Sequence, residues 1–448
     1  MSPPGYPNVF SGFFRDILTA MPMTDQTIIR LVPLCYSLLL LGGGSALHPW
    51  TEPAGFWCIL RSPSLLLTDY TLVGGLGPAL VNAGFLGCIT SAILWLIRME
   101  HSGYLLVCGL MVPAFGLCGK NVLNVWPHIL GVVLFCRVTG KPLRDLGPVM
   151  LLGTCLAPLF SQLAFGFGFG TAGLVGGAVA GTVAGFLLAS ISSHVLTLHQ
   201  GFSLYNVGTA AGFLGIIAST LMRGFGLKTT PVYLYATDSS ELLHGILMIL
   251  IAGLALLGIA LSQRRGKTLA EGLKAILSET GRLPSNFVEV GGLGPAFFNM
   301  ALVGSCGLAY LDFVGGPVNG PTFAAITAMT AFGGLGKHPR NILPPIVGLY
   351  LICLPKIWSP GDPGPVIAAL YSGTVAPFCG RFGPFAGLAA GMLHLPLAMH
   401  LGEIHGWLNL YNNGFAGGIG MIFFVGVLRG LSPHTLDEPS PSAGGPPR

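Results

Sequence analysis

The segment VGGLGPALVNAGFLG at Val73–Gly87 has a close copy in the same chain, VGGLGPAFFNMALVG at Val290–Gly304. A second block, FGLCGKNVLNVWP at Phe115–Pro127, returns as FGGLGKHPRNILP at Phe332–Pro344. Both blocks keep one register, since 290 − 73 and 332 − 115 are both 217. Two blocks in one register indicate an internal duplication of about half the chain. The sequence therefore predicts two equivalent halves.

A third block closes each half. HQGFSLYNVG at His199–Gly208 is matched by HGWLNLYNNG at His405–Gly414, which starts 206 positions later. The three blocks together define pairs of equivalent polar residues. These pairs are Asn82 with Asn299, Lys120 with Lys337, Asn124 with Asn341, Tyr205 with Tyr411, Asn206 with Asn412, His194 with His400, and His199 with His405.

The composition places the chain in a lipid bilayer. Of its 448 residues 52% are hydrophobic and only 8% are charged, and the mean hydropathy is +0.74. Because a soluble domain carries about 25% charged residues, we expect an all-α integral membrane protein. The 68 glycines and 34 prolines indicate closely packed and interrupted helices.

The cysteines, charges and motifs argue against several classes of function. None of the ten cysteines forms a CxxC pair, so we expect neither a disulfide framework nor a zinc site. The net charge of +5 is spread over short loops, so nucleic acid is not an expected partner. The sequence has no GxSxG, HExxH or Walker-type motif, and no cofactor is expected.

Each half contains seven apolar segments when a crossing is taken as about 20 residues. The first half has 31–47, 71–96, 103–118, 121–138, 146–165, 171–192 and 203–222; the second has 242–262, 288–311, 321–335, 341–358, 364–380, 384–400 and 409–428. Segments 103–118 and 321–335 are short for a full crossing. We therefore expect short broken or re-entrant helices there.

Basic residues in equivalent loops indicate that the two halves have opposite orientations. Residues 263–285 carry five lysines and arginines, whereas the equivalent residues 48–68 carry one. Residues 137–145 carry three, whereas 357–363 carry none. Because basic loops face the cytoplasm, equivalent loops lie on opposite sides of the membrane. We therefore predict two inverted-topology repeats in the cell inner (cytoplasmic) membrane, with both termini cytoplasmic.

The predicted organisation has five parts. They are a cytoplasmic interfacial segment at 1–30, a first repeat at 31–222, an inter-repeat loop at 223–240, a second repeat at 241–430, and a disordered tail at 431–448. The sequence leaves open whether copies of the chain associate into a homo-oligomer.

The paired lysines and amides are the candidate solute-binding residues. Lys120 and Lys337 each follow a glycine at an expected helix start, where free backbone N–H groups and the side-chain charge attract an anion. The alternative is that both lysines cap loops at the membrane surface. Amides inside apolar helices need polar partners from a neighbouring helix or a polar pore. The other candidates are Asn82, Asn299, Asn124, Asn341, Tyr205, Asn206, Tyr411 and Asn412.

Four histidines are candidates for proton coupling: His194, His199, His400 and His405. Within each half the two rings are about 140° apart around a helix. They therefore cannot chelate one metal from a regular helix, and no metal site is expected. The alternative is that these histidines are interfacial or hydrogen-bonded.

At these motifs the chain resembles a family of prokaryotic polytopic membrane proteins of about this length, known only as a domain of unknown function. The resemblance covers most of residues 25–430, its most specific string is FGGLGKHPRNILPP at 332–345, and it implies no catalytic or binding residue. The Gly-rich helix around Asn82 and the repeated Tyr-Asn are also similar to parts of urea-transporter-type channels, which contain inverted repeats. The Asn-Pro of those channels is absent, since Ala83 and Met300 follow the two asparagines. This likeness therefore concerns architecture only.

Together these features predict a transport protein, either a channel or a secondary transporter, for a small polar or anionic solute that moves between the halves. One alternative is a membrane-embedded enzyme that uses the histidines and Glu403. The duplication argues against an enzyme, because a catalytic cluster is asymmetric whereas most polar residues here occur twice. The other alternative is a non-transporting sensor or assembly subunit.

Overall fold

The computed structural model describes residues 24–47, 53–100, 102–262, 268–355 and 357–431, and the regular structure within them is helical. The predicted disordered tail beyond Leu431 and most of the predicted interfacial segment lie outside these residues.

The helices form two sets of ten in the same order, so each first-half helix is equivalent to the second-half helix numbered ten higher. The first set is α1 (Asp25–Leu47), α2 (Ala54–Leu60), α3 (Tyr70–Val73), α4 (Leu76–Leu96), α5 (Ser102–Ala114), α6 (Trp126–Thr139), α7 (Gly147–Leu152), α8 (Ala157–Ser161), α9 (Gly170–His199) and α10 (Asn206–Gly224). The second set is α11 (Glu241–Ala260), α12 (Leu269–Ser278), α13 (Phe287–Gly291), α14 (Leu293–Phe313), α15 (Gly320–Phe332), α16 (Pro339–Cys353), α17 (Pro363–Tyr371), α18 (Ala376–Phe382), α19 (Pro384–Ile404) and α20 (Asn412–Leu431).

The duplicated Gly-Gly-Leu-Gly-Pro motif starts α4 and α14 in the same way. Gly75 and Gly292 precede these helices with φ angles of 90° and 91°. This left-handed conformation favours glycine, because a Cβ would be strained there. The proline that follows lies in the first helical turn, where its missing N–H costs little.

Nine helical stretches within the described residues are long and apolar enough to cross a membrane, which makes this a multi-pass membrane protein. In the first half they are α1, α4, α7 together with α8, α9, and α10; in the second half they are α11, α14, α19 and α20. The second-half equivalent of α7 and α8 is α17 and α18, separated by a 3-10 turn at Ser372–Val375. A 3-10 turn at Gly153–Leu156 separates α7 from α8 as well.

The predicted short segments are indeed short helices. Helices α5 and α15 have 13 residues each, and α6 and α16 have 14 and 15. Each is shorter than the roughly 20 residues that cross a bilayer. Five long elements and two short helices therefore recur in each half.

Two predicted boundaries differ from the structure. Helix α1 begins at Asp25 rather than at residue 31, so residues 25–30 belong to the first long helix. Helix α9 continues beyond the predicted end at 192 to His199, where Gln200 ends it in a left-handed conformation with φ of 51°. The apolar pattern fades before a helix stops, because hydrogen bonding continues until a residue breaks it.

Equivalent helices pack in equivalent ways. Helix α1 packs on α4 as α11 packs on α14, and α6 packs on α9 as α16 packs on α19. Between the halves, α5 packs on its own equivalent α15, and α10 packs on its own equivalent α20. Elements that meet their own equivalents lie on either side of a two-fold axis. The two halves are therefore related by pseudo-two-fold symmetry, with α5, α15, α10 and α20 around the axis.

Candidate functional site

The first Phe-Gly-x-x-Gly-Lys loop is held in the interior by an asparagine of α4. The amide nitrogen of Asn82 donates to the carbonyl oxygens of Gly116 at 2.7 Å and Lys120 at 2.9 Å. Its oxygen accepts from the N–H of Val122 at 3.1 Å. Both N–H groups and the oxygen of this amide bond to backbone, so the side chain organises the loop. Solute binding by Asn82 stays a prediction.

The second loop is built the same way except at one atom. The amide nitrogen of Asn299 donates to the carbonyl oxygens of Gly333 at 2.7 Å and Lys337 at 2.8 Å. The residue equivalent to Val122 is Pro339, which has no N–H. The buried Oδ1 of Asn299 consequently has no hydrogen-bond partner among the described residues.

Asn124 and Asn341 hold the ends of the same two loops. Oδ1 of Asn124 accepts from the N–H of Asn121 at 2.8 Å, and Oδ1 of Asn341 accepts from the N–H of His338 at 2.9 Å. Each amide nitrogen also donates to a backbone carbonyl of its own loop, and that of Asn124 donates in addition to the hydroxyl of Ser161 at 3.0 Å. In the first half the turn that they make delays the start of α6 to Trp126, so the prediction of a helix start directly after Lys is wrong there.

Each lysine side chain reaches a tyrosine of the opposite half. Lys120 Nζ donates to the hydroxyl of Tyr411 at 2.6 Å and lies 4.6 Å from the centre of that ring. Lys337 Nζ donates to the hydroxyl of Tyr205 and lies 4.5 Å from its ring centre. A phenylalanine of each lysine's own loop lies 5.4 Å and 5.3 Å away, respectively. Both lysines are 0% exposed, so neither caps a loop at the membrane surface.

Neither lysine has a carboxylate partner within the described part of the chain. The ion pair found among those residues joins Arg144 and Asp145. The buried carboxyl group there is that of Asp69, which accepts from the N–H of Thr71 at 2.9 Å. Burial raises the pKa of the Asp69 carboxyl above its ordinary value. A buried ammonium group without a counter-ion attracts an anion, because its own desolvation is not compensated.

The two Leu-Tyr-Asn motifs lie back to back where α10 crosses α20. A Cβ at Gly208 would lie 3.2 Å from the Cα of Gly414 and 2.9 Å from the Cβ of Tyr411. A Cβ at Gly414 would meet Gly208 and Tyr205 in the same way, at 3.2 and 2.8 Å. The two glycines therefore permit the close crossing that places both tyrosines at the pseudo-two-fold axis.

The helix breaks receive the ends of these motifs. The N–H of Leu410 donates to the carbonyl oxygen of Cys155 at 3.0 Å, and the N–H of Leu204 donates to that of Thr374 at 2.9 Å. Both carbonyl groups belong to the 3-10 turns that interrupt the broken helices. Each break thus anchors the tyrosine segment of the opposite half.

His199 and His405 form matched pairs with the asparagines of the Tyr-Asn motifs. His199 Nε2 lies 3.0 Å from Oδ1 of Asn206, and His405 Nε2 lies 3.0 Å from Oδ1 of Asn412. Both imidazoles are buried at helix ends. The structure therefore gives this pair a hydrogen-bonded arrangement, and proton coupling by these residues stays a prediction.

The other two histidines of the predicted set are not brought to the site. His194 and His400 are exposed on the outer faces of α9 and α19. The two predicted histidines of each half therefore lie in different surroundings, one exposed and one buried. Among the described residues, no group of three His, Cys, Asp or Glu side chains is arranged to hold a metal ion.

A cavity of about 180 Å³, here called the large cavity, lies between the halves beside the tyrosines. Three predicted solute-binding residues line it: Tyr205, Asn206 and Tyr411. It reaches Asp145, whose side chain is 62% exposed, so the cavity extends to the protein surface. Since one water occupies about 30 Å³ in the liquid, the cavity has room for a small solute.

Sequence reasoning missed three aromatic residues of this region. Phe115 and Phe332 pack on the tyrosines with ring centres 4.9 and 4.6 Å apart, and both belong to duplicated blocks that could have indicated them. Tyr371 lies 6.0 Å from the ring of Tyr205. It aligns with a leucine in the first half, so the duplication gave no signal for it.

Comparison with known proteins adds a family without an activity. The model of a family described as "Protein of unknown function (DUF1576)" matches residues 51–224 and 265–430. No curated protein and no solved structure matches the chain.

Proposed function

This chain belongs to the DUF1576 family, whose function is unknown, and we propose from the geometry of its interior that it is a membrane transport protein. It is a channel or secondary transporter for a small polar or anionic solute. The solute path runs between the two halves, past Tyr205 and Tyr411. The observation that carries this proposal is the pair of buried lysines, each bound to a tyrosine that lines the large cavity.

The chemistry favours an anion over a cation. Each tyrosine oxygen accepts from an ammonium group, which leaves its own O–H free to donate to a solute. No second hydrogen-bond partner of either hydroxyl occurs among the described residues. Two hydroxyl donors backed by two lysines would stabilise negative charge in a low-dielectric interior when the lysines are protonated.

The proposed topology is inverted, with both termini cytoplasmic in the inner membrane. Five long elements per half are an odd number of crossings, so the second half would enter from the opposite side. The large cavity reaches Asp145, next to the basic residues of 137–145 that favour the cytoplasmic side. The cavity would accordingly face the cytoplasm.

Ligand-induced stabilisation tests the solute site. We would measure thermal unfolding of the purified protein with sodium salts of small anions, and with neutral amides, against a background of a bulky anion. A ligand at ten times its Kd stabilises by about 1.4 kcal/mol. We expect a small anion to raise the unfolding temperature, and Lys120→Met and Lys337→Met to abolish that shift.

Lys274→Met, the same change at an exposed position of α12, is the matched control and should keep the shift. Flux of the stabilising anion into proteoliposomes then tests transport itself. If no anion or amide stabilises the protein and none crosses the bilayer, the proposal is wrong.

Topology has its own test. Single cysteines at Arg61 and Lys274, which are both exposed and lie in equivalent segments of the two halves, should react with a membrane-impermeant thiol reagent from opposite sides, the first in intact cells and the second only after the cells are opened. Labelling of both from the same side would contradict the inverted arrangement.

A further inference from the structure

A second cavity lies on the other side of the tyrosine pair and is lined by residues equivalent to those of the large cavity. This small cavity measures about 30 Å³. Leu410 and Phe115 line it where Leu204 and Phe332 line the large cavity. Equivalent residues line both spaces, so the small cavity is the pseudo-symmetric counterpart of the large one.

The difference in size coincides with one side chain. Leu152 is the last residue of α7 and lines the large cavity, whereas Tyr371 is the last residue of α17 and lines the small one. The ring of Tyr371 lies 6.3 Å from that of Phe115 and 6.0 Å from that of Tyr205. The Tyr371 ring therefore packs near both Phe115, which lines the small cavity, and Tyr205.

A narrow void of about 10 Å³ has lining residues in common with both cavities. It shares Tyr205 and Tyr411 with the large cavity, and Tyr371 and Asn413 with the small cavity. The three spaces thus follow one another across the interface of the halves. Tyr371 lines both the narrow void and the small cavity. Its equivalent in the first half, Leu152, is not aromatic.

The small cavity has a polar residue at a position where the large cavity has an apolar one. Asn413 lines it, and its equivalent in the large cavity is Val207. Oδ1 of Asn413 lies 3.1 Å from Nε2 of the buried His394, whose equivalent is the apolar Leu188. The amide N–H₂ of Asn413 has no hydrogen-bond partner among the described residues. It is a free donor beside the tyrosine, suited to an anion or another hydrogen-bond acceptor.

We propose that the small cavity is a second binding site for the same small anionic or polar solute, and that the Tyr371 side chain fills it in this conformation. This inference rests on the proposed transport function and adds the far side of the path. Rotation of one ring would convert the small cavity into the counterpart of the large one, with Asn413 as its donor.

The reactivity of Cys118 tests the cavity without any transport assay. Cys118 lines the small cavity and is 7% exposed. We would measure its modification by a small charged methanethiosulfonate reagent, resolved by mass spectrometry of peptides. Tyr371→Leu copies the residue of the first half and should raise the modification rate of Cys118 at least about tenfold, since solvent access controls thiol reactivity.

Three comparisons separate this result from general loosening. Tyr371→Phe keeps the ring and should leave Cys118 protected. Tyr310→Leu, which removes a buried tyrosine on α14, should leave it protected as well. The buried Cys108 on α5 should not change in any variant. Tyr371→Met, which retains more buried volume, serves if the leucine variant does not fold.

An unchanged Cys118 rate in Tyr371→Leu or Tyr371→Met, or an equal increase in Tyr371→Phe or at Cys108, overturns the inference. Faster modification of Cys118 in Tyr371→Leu, without anion flux in any variant, would establish the cavity and refute the transport function. Anion flux in the parent chain, with an unchanged rate of Cys118 modification in the Tyr371 variants, would support the transport function and refute the second binding site.

Discussion

Replacing the two equivalent asparagines should give unequal losses of stability, although their surroundings look alike in sequence. Asn82→Ala removes three hydrogen bonds, to Gly116, Lys120 and Val122. At about 1 kcal/mol per bond, we expect a loss of about 3 kcal/mol.

Asn299→Ala removes only the two bonds that its nitrogen donates. It also removes a buried Oδ1 that has no partner among the described residues, which relieves about 1–3 kcal/mol. We therefore expect a net change between a loss and a gain of about 1 kcal/mol, so that any loss is at least about 2 kcal/mol smaller than for Asn82→Ala. Denaturation in detergent micelles, followed by tryptophan fluorescence, measures both.

Pro339→Val supplies the missing N–H and completes the test. In its presence Asn299→Ala should cost about 3 kcal/mol, as Asn82→Ala does, because three hydrogen bonds are broken and the oxygen that is removed no longer lacks a partner. This is at least about 2 kcal/mol more than in the parent chain, and a double-mutant cycle isolates the coupling. Equal losses for the two alanine variants, or no coupling between positions 299 and 339, would refute the reasoning.

Three further outcomes follow from the packing. Gly208→Ala should destabilise the protein by about 1–3 kcal/mol, because its Cβ would lie 2.9 Å from that of Tyr411; Gly245→Ala, with no atom within 4 Å, should be neutral or stabilising in the same thermal melt. Tyr411→Phe leaves the Lys120 ammonium without its oxygen partner and should cost about 1–3 kcal/mol, whereas Tyr233→Phe at a 66% exposed position should not change the melting temperature. Thr268→Ala removes the capping box of α12 and should cost about 1 kcal/mol by chemical denaturation, a loss that Thr268→Ser should avoid.

The membrane class, the two repeats and the short helices between the long ones could all be predicted from the sequence. These features depend on local composition and on a duplicated register, both of which are readable without contacts. The blocks around Lys120 and Lys337 were also recognisable as the important ones, because they occur twice.

Contacts in the folded chain were needed to tell which polar residues line a cavity and which form hydrogen bonds to the backbone of a loop. The sequence predicts solute binding equally for Asn82 and Tyr205. In the structure the hydrogen bonds of Asn82 go to backbone, whereas Tyr205 lines a cavity. The choice depends on which partners folding brings within about 3 Å.

The exchange of partners between halves was beyond the sequence for the same reason. Lys120 binds a tyrosine 291 positions away and Lys337 one 132 positions away, and the pseudo-two-fold axis creates both contacts at once. Tyr371 shows the complementary limit. Duplication reveals what two halves share, whereas the side chain that makes their two cavities unequal is visible only where the chain packs around it.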